Sequence, residues 1–348
     1  MSLTALRGYG AAEVERAYDR ARELCYSGGV QDLMLPAMYG LWRFNLMRAH
    51  YGRARELGNE LLELAQKFGD QEFLTVGHRA LGSTLFYMGE FEAAGAMMTR
   101  VLDAGSSSER RVQAFRYDVV DAWVTSRGYR AWVSWLQGDD AAAVRDSDEA
   151  IATAQRLKHA FSHALSLSFA GWLHQFRGDL ALVRERASAA SVVSVEHGFE
   201  FWIGWNTVLL GWVTSAGGDS RSGARQMNEG LKRWQATGSE LGKSYFLGLL
   251  AERHLKTGEF DEGLLVLEDA FHFVAQSGER FWETELHRVK GELLARLGRP
   301  EAEVADCFER ALELAVAQGA LALQRRALAS QSQYRKSNDS ALNKASIG

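Results

Sequence analysis

Apolar residues recur along this chain with a helical period, and glycines interrupt them at fixed intervals. Phe260, Leu264, Leu267, Phe271 and Val274 fall at i, i+4, i+7, i+11 and i+14, one face of a 3.6-residue helix. The blocks AWVSWLQGD, GWLHQFRGD, GWVTSAGGD, AERHLKTGE and GELLARLGR each end in a glycine and a polar residue. Their glycines, Gly138, Gly178, Gly218, Gly258 and Gly298, are spaced 40 residues apart. Seven positions upstream stands a small residue every time: Ala131, Gly171, Gly211, Ala251 and Gly291. Gly82 and Gly89 form an earlier copy, 49 residues before the next. A second set, Gly198, Gly238 and Gly278, repeats the 40-residue step, and Gly319 follows after 41. These glycines close apolar-periodic segments, where a helix C-cap belongs.

Each unit therefore reads as a first helix, a tight turn, a second helix and a second turn. The small residue before the turn lets the first helix approach a neighbour closely, and Ala94, Ala143 and Ala270 do the same on the second helix. One pair cannot bury its apolar stripe, whereas a stack of pairs shares a continuous core. The expected fold is all-α, a right-handed α-α superhelix of about seven pairs, at roughly 33–69, 71–105, 113–158, 159–198, 199–238, 239–278 and 279–319. The expected organisation is an N-terminal extension at 1–10, a repeat array at 11–329 opened by a lone helix at about 11–27, and a polar, disordered tail at 330–348. Ala104 to Arg111 reads as a loop within the array.

Composition agrees with this reading. Proline accounts for 2 of 348 residues, and an apolar fraction of 47% with 24% charged residues is ordinary for a soluble globular chain. The balance of 40 Lys and Arg against 44 Asp and Glu offers no footprint for nucleic acid or an anionic membrane. The start has no apolar signal region, and the longest apolar stretch, 13 residues from Phe201 to Val213, is too short for a bilayer. The expected location is the cytoplasm. Cys25 and Cys307 imply neither a disulfide framework nor a thiolate metal site.

Candidate chemistry is sparse. GSELGKS, from Gly238 to Ser244, resembles a phosphate loop, but Thr237 stands where the first glycine is needed and no strand precedes it. It reads as a C-cap followed by a helix start. His159 and His163 share a helix face without a third ligand at a recognisable spacing. Glu283 and Glu285 are two apart and do not share a face, so with His287 and Arg288 they read as a charge network. No cofactor, metal or catalytic residue is expected.

The glycine turns, the A-x-x-[FY]-x-x-A tendency of the second helix and the length of each pair resemble tetratricopeptide (TPR) repeats, stretched by about six residues from the usual 34 or so. More narrowly, the chain from about residue 8 to about 328 is similar to the TPR-like C-terminal region of bacterial proteins carrying a class III adenylate/guanylate cyclase domain and an AAA-type ATPase. The similarity lies in EVERAYDRARELC, GLWRFNLMRAHYGRARELGNELLELA, HRALGSTLFYMGEFEAA, GFEFWIGWNTVLLGW, GLKRWQATGSELGKSYFLGLLAE, GERFWETELHRVKGELLARLG and CFERALELAVAQGA. The cyclase and ATPase parts are absent here, so their activities do not carry over. The resemblance implies a regulatory arm, either a piece of such a protein or a standalone relative.

One further pattern bears on binding. Trp132, Trp172 and Trp212 are 40 apart, and Glu252 and Glu292 continue their register. In TPR arrays this position faces the concave groove, with Arg79, Phe86, Gln175, Trp205, Tyr245 and Arg288 as companions here. Two readings stand side by side: the tryptophans line an open groove, or they fill the interhelix core. The groove reading expects a non-catalytic interaction scaffold holding a protein or peptide segment, cognate cyclase or ATPase modules included. The alternative is a small-molecule sensor with a ligand stacked on the tryptophans.

Overall fold

The computed structural model describes residues 31–105 and 119–345, together with the single positions 16 and 20. The N-terminal extension, nearly all of the lone helix at 11–27 and most of the loop at 104–111 lie outside the described residues. Among the described residues there are fifteen helices and no strand. They are α1 (Gln31–Met47), α2 (Tyr51–Phe68), α3 (Gln71–Tyr87), α4 (Phe91–Asp103), α5 (Ala122–Leu136), α6 (Asp140–Leu157), α7 (Ala160–Arg177) and α8 (Leu180–His197). There follow α9 (Glu200–Ala216), α10 (Ser220–Ala236), α11 (Lys243–Thr257), α12 (Phe260–Ser277), α13 (Glu283–Arg296), α14 (Glu301–Ala317) and α15 (Leu321–Ala345). The fold is a TPR-like solenoid of seven antiparallel pairs closed by α15.

The turn glycines have a plain physical cause. Gly138, Gly178, Gly218, Gly258 and Gly298 all take positive φ, between 65° and 108°, a region that costs a residue with a Cβ. In three of these turns the next residue is aspartate. Asp139, Asp179 and Asp219 accept from the backbone N–H of Ala142, Leu182 and Ser222 at 2.9, 3.1 and 3.1 Å, capping α6, α8 and α10. One dipeptide thus ends one helix and begins the next.

The tail departs from expectation. Helix continues through 330–345 instead of giving way to a disordered segment. Its apolar content is low, but Tyr334 packs its ring 6.1 Å from that of Phe308 on α14, and Ser330 bonds Glu292 on α13.

Winding brings the array back onto itself. The backbone N–H of Glu240, in the α10–α11 loop, donates to the Met47 carbonyl at the end of α1, 2.8 Å away. One 40-residue period further on, the N–H of Arg280 in the α12–α13 loop donates to the Tyr87 carbonyl at the end of α3, also at 2.8 Å. A helix C-terminus leaves its last carbonyls without intrahelical donors, and here distant loops supply them. Arg48 adds a bond to the Gly238 carbonyl at 3.1 Å. At the far end, Arg326 of α15 donates to the Phe176 carbonyl of α7 and lies over the Trp135 ring of α5.

The tightest packing is between α9 and α10. A Cβ placed on Gly211 would lie 2.7 Å from the Met227 backbone nitrogen, and one on Gly230 would lie 2.7 Å from that of Val208. Backbone meets backbone along this seam, so nothing flexible can yield. Gly230→Ala is expected to lower stability by about 1–3 kcal/mol, although alanine is the better helix former by about 1 kcal/mol. Gly52, in a helix with nothing within 4 Å of its added Cβ, gives the opposite sign on replacement by alanine. Urea unfolding of both variants checks the pair, and equal signs would refute the packing account.

Candidate functional site

The residues singled out from the sequence fall into a closed and an open part. Phe86, Trp132, Trp172, Trp205 and Tyr245 have no solvent exposure, and Arg79 is buried with its guanidinium over the rings of Tyr39 and Trp42. Phe86, Trp132, Trp172 and Tyr245 fill the axis, and the buried Arg79 and Trp205 line a small cavity of about 70 Å³ with Tyr39 and Trp42. Trp172 illustrates why. Its ring centroid lies 4.2 Å from that of Trp205, 4.8 Å from Trp132 and 4.1 Å from Tyr245. Phe281 stacks on it from the α12–α13 loop, at 5.8 Å. Gly242 comes so close that a Cβ there would sit 2.9 Å from the indole. The loops that dock on α1 and α3 therefore plug the axis along which the aromatic ladder runs.

A buried carboxylate fixes this plug. Glu279 is fully buried, and its oxygens accept from the N–H of Gly242 and of Ser244, each at 2.9 Å, and from the Ser244 hydroxyl at 2.6 Å. The Tyr51 hydroxyl of α2 donates to it as well. The Gly-Lys-Ser of GSELGKS thus does make an anion nest at a helix N-terminus, and the anion it holds is the chain's own. Burial outweighs these donors and pushes the Glu279 carboxyl up to about 6. Burial and the adjacent Glu279 also raise the Tyr51 phenol well above its usual range.

Beyond the plug the groove opens into a cavity of about 550 Å³. Its walls come from α7, α9, α11, α13 and α15. Four of the expected groove residues line it, Gln175, Trp212, Glu252 and Arg288, and Glu292 stands next to Arg288. Glu285, Lys256, Trp282, Arg326 and Ser330 also line it. Gln175 links the two parts, since its side-chain oxygen accepts from the Tyr245 hydroxyl at 2.9 Å.

The charge network on α13 is an ion-pair lattice. Glu285 accepts from Arg288 Nε and Nη2 at 2.9 and 3.1 Å, and from Arg326 Nη1 at 3.0 Å. Burial alone would raise its pKa, but the two guanidiniums hold the carboxyl below its ordinary value. His287 faces away onto the Phe271 ring, and burial, with Arg310 and Lys290, pushes its imidazole down to about 4. His159 serves as the N-cap of α7, with Nδ1 3.3 Å from the Ser162 N–H. Among the described residues no group of three His, Cys, Asp or Glu could hold a metal ion. Among them, too, no helix is long and apolar enough to cross a membrane.

No known family profile matches the chain. It is 24% identical over 323 residues to an uncharacterized protein of Rhizobium meliloti (strain 1021), covering 92% of this chain and 31% of that one. The chain thus spans about a third of that relative's length. Among solved structures, it resembles a Rap protein complexed with competence and sporulation factor, at TM-score 0.60 and 15% identity, covering 81% of this chain and 77% of the other. It also resembles the Rap conjugation gene regulator of plasmid pLS20 in complex with the Phr* peptide, at TM-score 0.53 and 11% identity, covering 87% and 96%. These neighbours are TPR-like helical repeat proteins, and the likeness is one of fold.

Two outcomes follow for the plug. Trp172→Ala costs about 3–5 kcal/mol of stability in a chemical unfolding experiment, as for a core aromatic; a change below about 1 kcal/mol would return it to an open groove. Glu279 has a folded pKa near 6, above the ordinary 4.5, so its contribution is full below pH 4.5 and is lost as pH rises through 6. The stability advantage of wild type over Glu279→Gln therefore shrinks by about 2 kcal/mol across that interval. An advantage that grows with pH would mean that the donors, not burial, dominate.

Proposed function

We propose that this chain is a non-catalytic interaction scaffold that holds a segment of polypeptide in the open part of its concave groove. The observation that carries this reading is the cavity formed by the first helices of successive repeats, at the place where the axis is no longer plugged. Among solved neighbours of similar fold, one Rap protein is complexed with competence and sporulation factor and another with the Phr* peptide. The similarity to the arms of cyclase and AAA ATPase proteins supports a regulatory role beside such modules, and the Rhizobium relative, about three times as long, leaves room for them. In that setting the arm would sense a protein segment and pass a change of curvature to its neighbour.

A second reading has an observation of its own. At about 550 Å³ the cavity falls within the range of small-molecule sites, roughly 300–1,000 Å³, and Trp212 lines it with Lys256 over its ring. A metabolite that raises the unfolding temperature of the chain, and fails to raise it when the cavity is filled, would favour this sensor.

Ala216 is exposed at the rim of the cavity, so a larger side chain there fills the groove without entering the core. Ala216→Trp is expected to weaken polypeptide capture at least about tenfold while the unfolding temperature stays within about 2 °C. Cognate cyclase and ATPase modules, and peptide pools, serve as ligands in a calorimetric titration. Undiminished binding by the filled variant would move the site elsewhere.

A further inference from the structure

The 40-residue register that runs through the chain changes chemistry where the groove opens. Trp132 and Trp172 are sealed in the axis, whereas Trp212 and Glu252 line the cavity and Glu292 follows on the next first helix. Resting on the groove-binding reading above, we propose that this groove takes a basic polypeptide segment, whose lysine or arginine side chains sit at Glu252 beside Trp212 and at Glu292, which lines the adjoining cavity that shares Ser330 with the first.

The hydrogen-bond accounts of the charged groups carry the argument. Arg288 is spent on its own chain, with Nε and Nη2 on Glu285 and Nη1 on Glu292 and Ser330. Arg326 is likewise committed to Glu285, to the Phe176 carbonyl and to the Trp135 face. Glu285 receives three of these bonds and is closed to a ligand. The acids differ. Glu292 uses Oε1 for Arg288 and Ser330, while Oε2 accepts no hydrogen bond among the described residues. Glu252 has Lys256 at 3.1 Å and a long 3.5 Å contact from the Trp212 Nε1. Both carboxylates keep acceptor capacity, at side-chain exposures of 24% for Glu252 and 30% for Glu292.

Lys256 shows what such a subsite accepts. Its ammonium stands beside Glu252 and 5.8 Å from the centroid of the Trp212 ring, so a cation already rests on an indole face next to a carboxylate. With 51% of its side chain exposed, this i,i+4 pair contributes only a few tenths of a kcal/mol and can be exchanged for an incoming cation. An anionic segment would find Lys256 as the one cation not tied into the lattice among the described lining residues. Neighbouring helices lie about 8–10 Å apart and an extended chain advances about 3.3 Å per residue. Glu252 and Glu292 therefore match basic residues about three positions apart.

The test titrates dye-labelled octapeptide pools of net positive, neutral and net negative charge against wild type, Glu252→Gln/Glu292→Gln, Lys256→Ala and Ala216→Trp. The expected result is tightest binding of the positive pool, weakened by salt and reduced about tenfold in the double glutamine variant, with the unfolding temperature lowered by no more than about 4 °C, since a glutamine oxygen still accepts from Arg288 and Ser330. Lys256→Ala should bind that pool more tightly than wild type. If the neutral or negative pool binds equally well and Ala216→Trp abolishes it, the basic-segment inference is overturned while the groove reading stands. If no pool binds, or Ala216→Trp binds as wild type does, both are overturned.

Discussion

The docking of distant loops on two helix ends is the constraint from which the rest of this molecule follows. Met47 and Tyr87 present carbonyls that their own helices cannot satisfy, and the N–H groups of Glu240 and Arg280 reach them from 193 residues further along the chain in both cases. A solenoid held only by nearest-neighbour contacts is free to flex along its length. Here the spacing of the two bonds by one repeat sets curvature and pitch together, because both must close at once. Glu279 reinforces the closure by tying α2 to the start of α11. Its carboxylate is costly to bury, and four donors offset part of that cost.

Closure decides which stretch of the concave surface is core and which is accessible. The ladder of Trp132, Trp172 and Trp212 is a single sequence pattern, yet its first two members contribute to stability and the third lines a cavity. The difference lies in what stands opposite. Phe281 and Gly242 press on Trp172, while Trp212 faces the gap left between α7 and α15. The same periodic position is sealed at Trp132 and Trp172, whereas Trp212, buried in the same core, also lines the cavity.

The repeat architecture was legible in the chain because each cause is local. A positive-φ glycine, the aspartate after it and the small residue seven positions earlier each act within one or two turns of helix, and each holds in the structure at Gly178, Asp179 and Gly171. The fate of the groove residues was not legible, since closure over 193 residues has no periodic mark. A faint one exists in hindsight. The α10–α11 and α12–α13 connections run over 237–242 and 278–282, longer than the two residues between α8 and α9, and their extra residues form the plug. Glu279 and Arg326 escaped notice for the same reason: their partners, Tyr51 and Phe176, are 228 and 150 positions away. Residues 330–345 are polar by sequence yet helical, and Tyr334 supplies an apolar flank against Phe308.

Cavity and closure also share side chains. Gln175 faces the cavity and anchors the plug residue Tyr245; Trp282 lines the cavity and stacks on Phe176; Arg326 bridges Glu285 in the wall to the Phe176 carbonyl. A ligand that alters any of these contacts acts on the closure, and by linkage the closure acts on the ligand to the same degree in free energy. Glu252 lies outside that shared set, whereas Glu292 ties Arg288 of α13 to Ser330 of α15. Changes at Gln175, Trp282 or Arg326 therefore alter the cavity and the closure together.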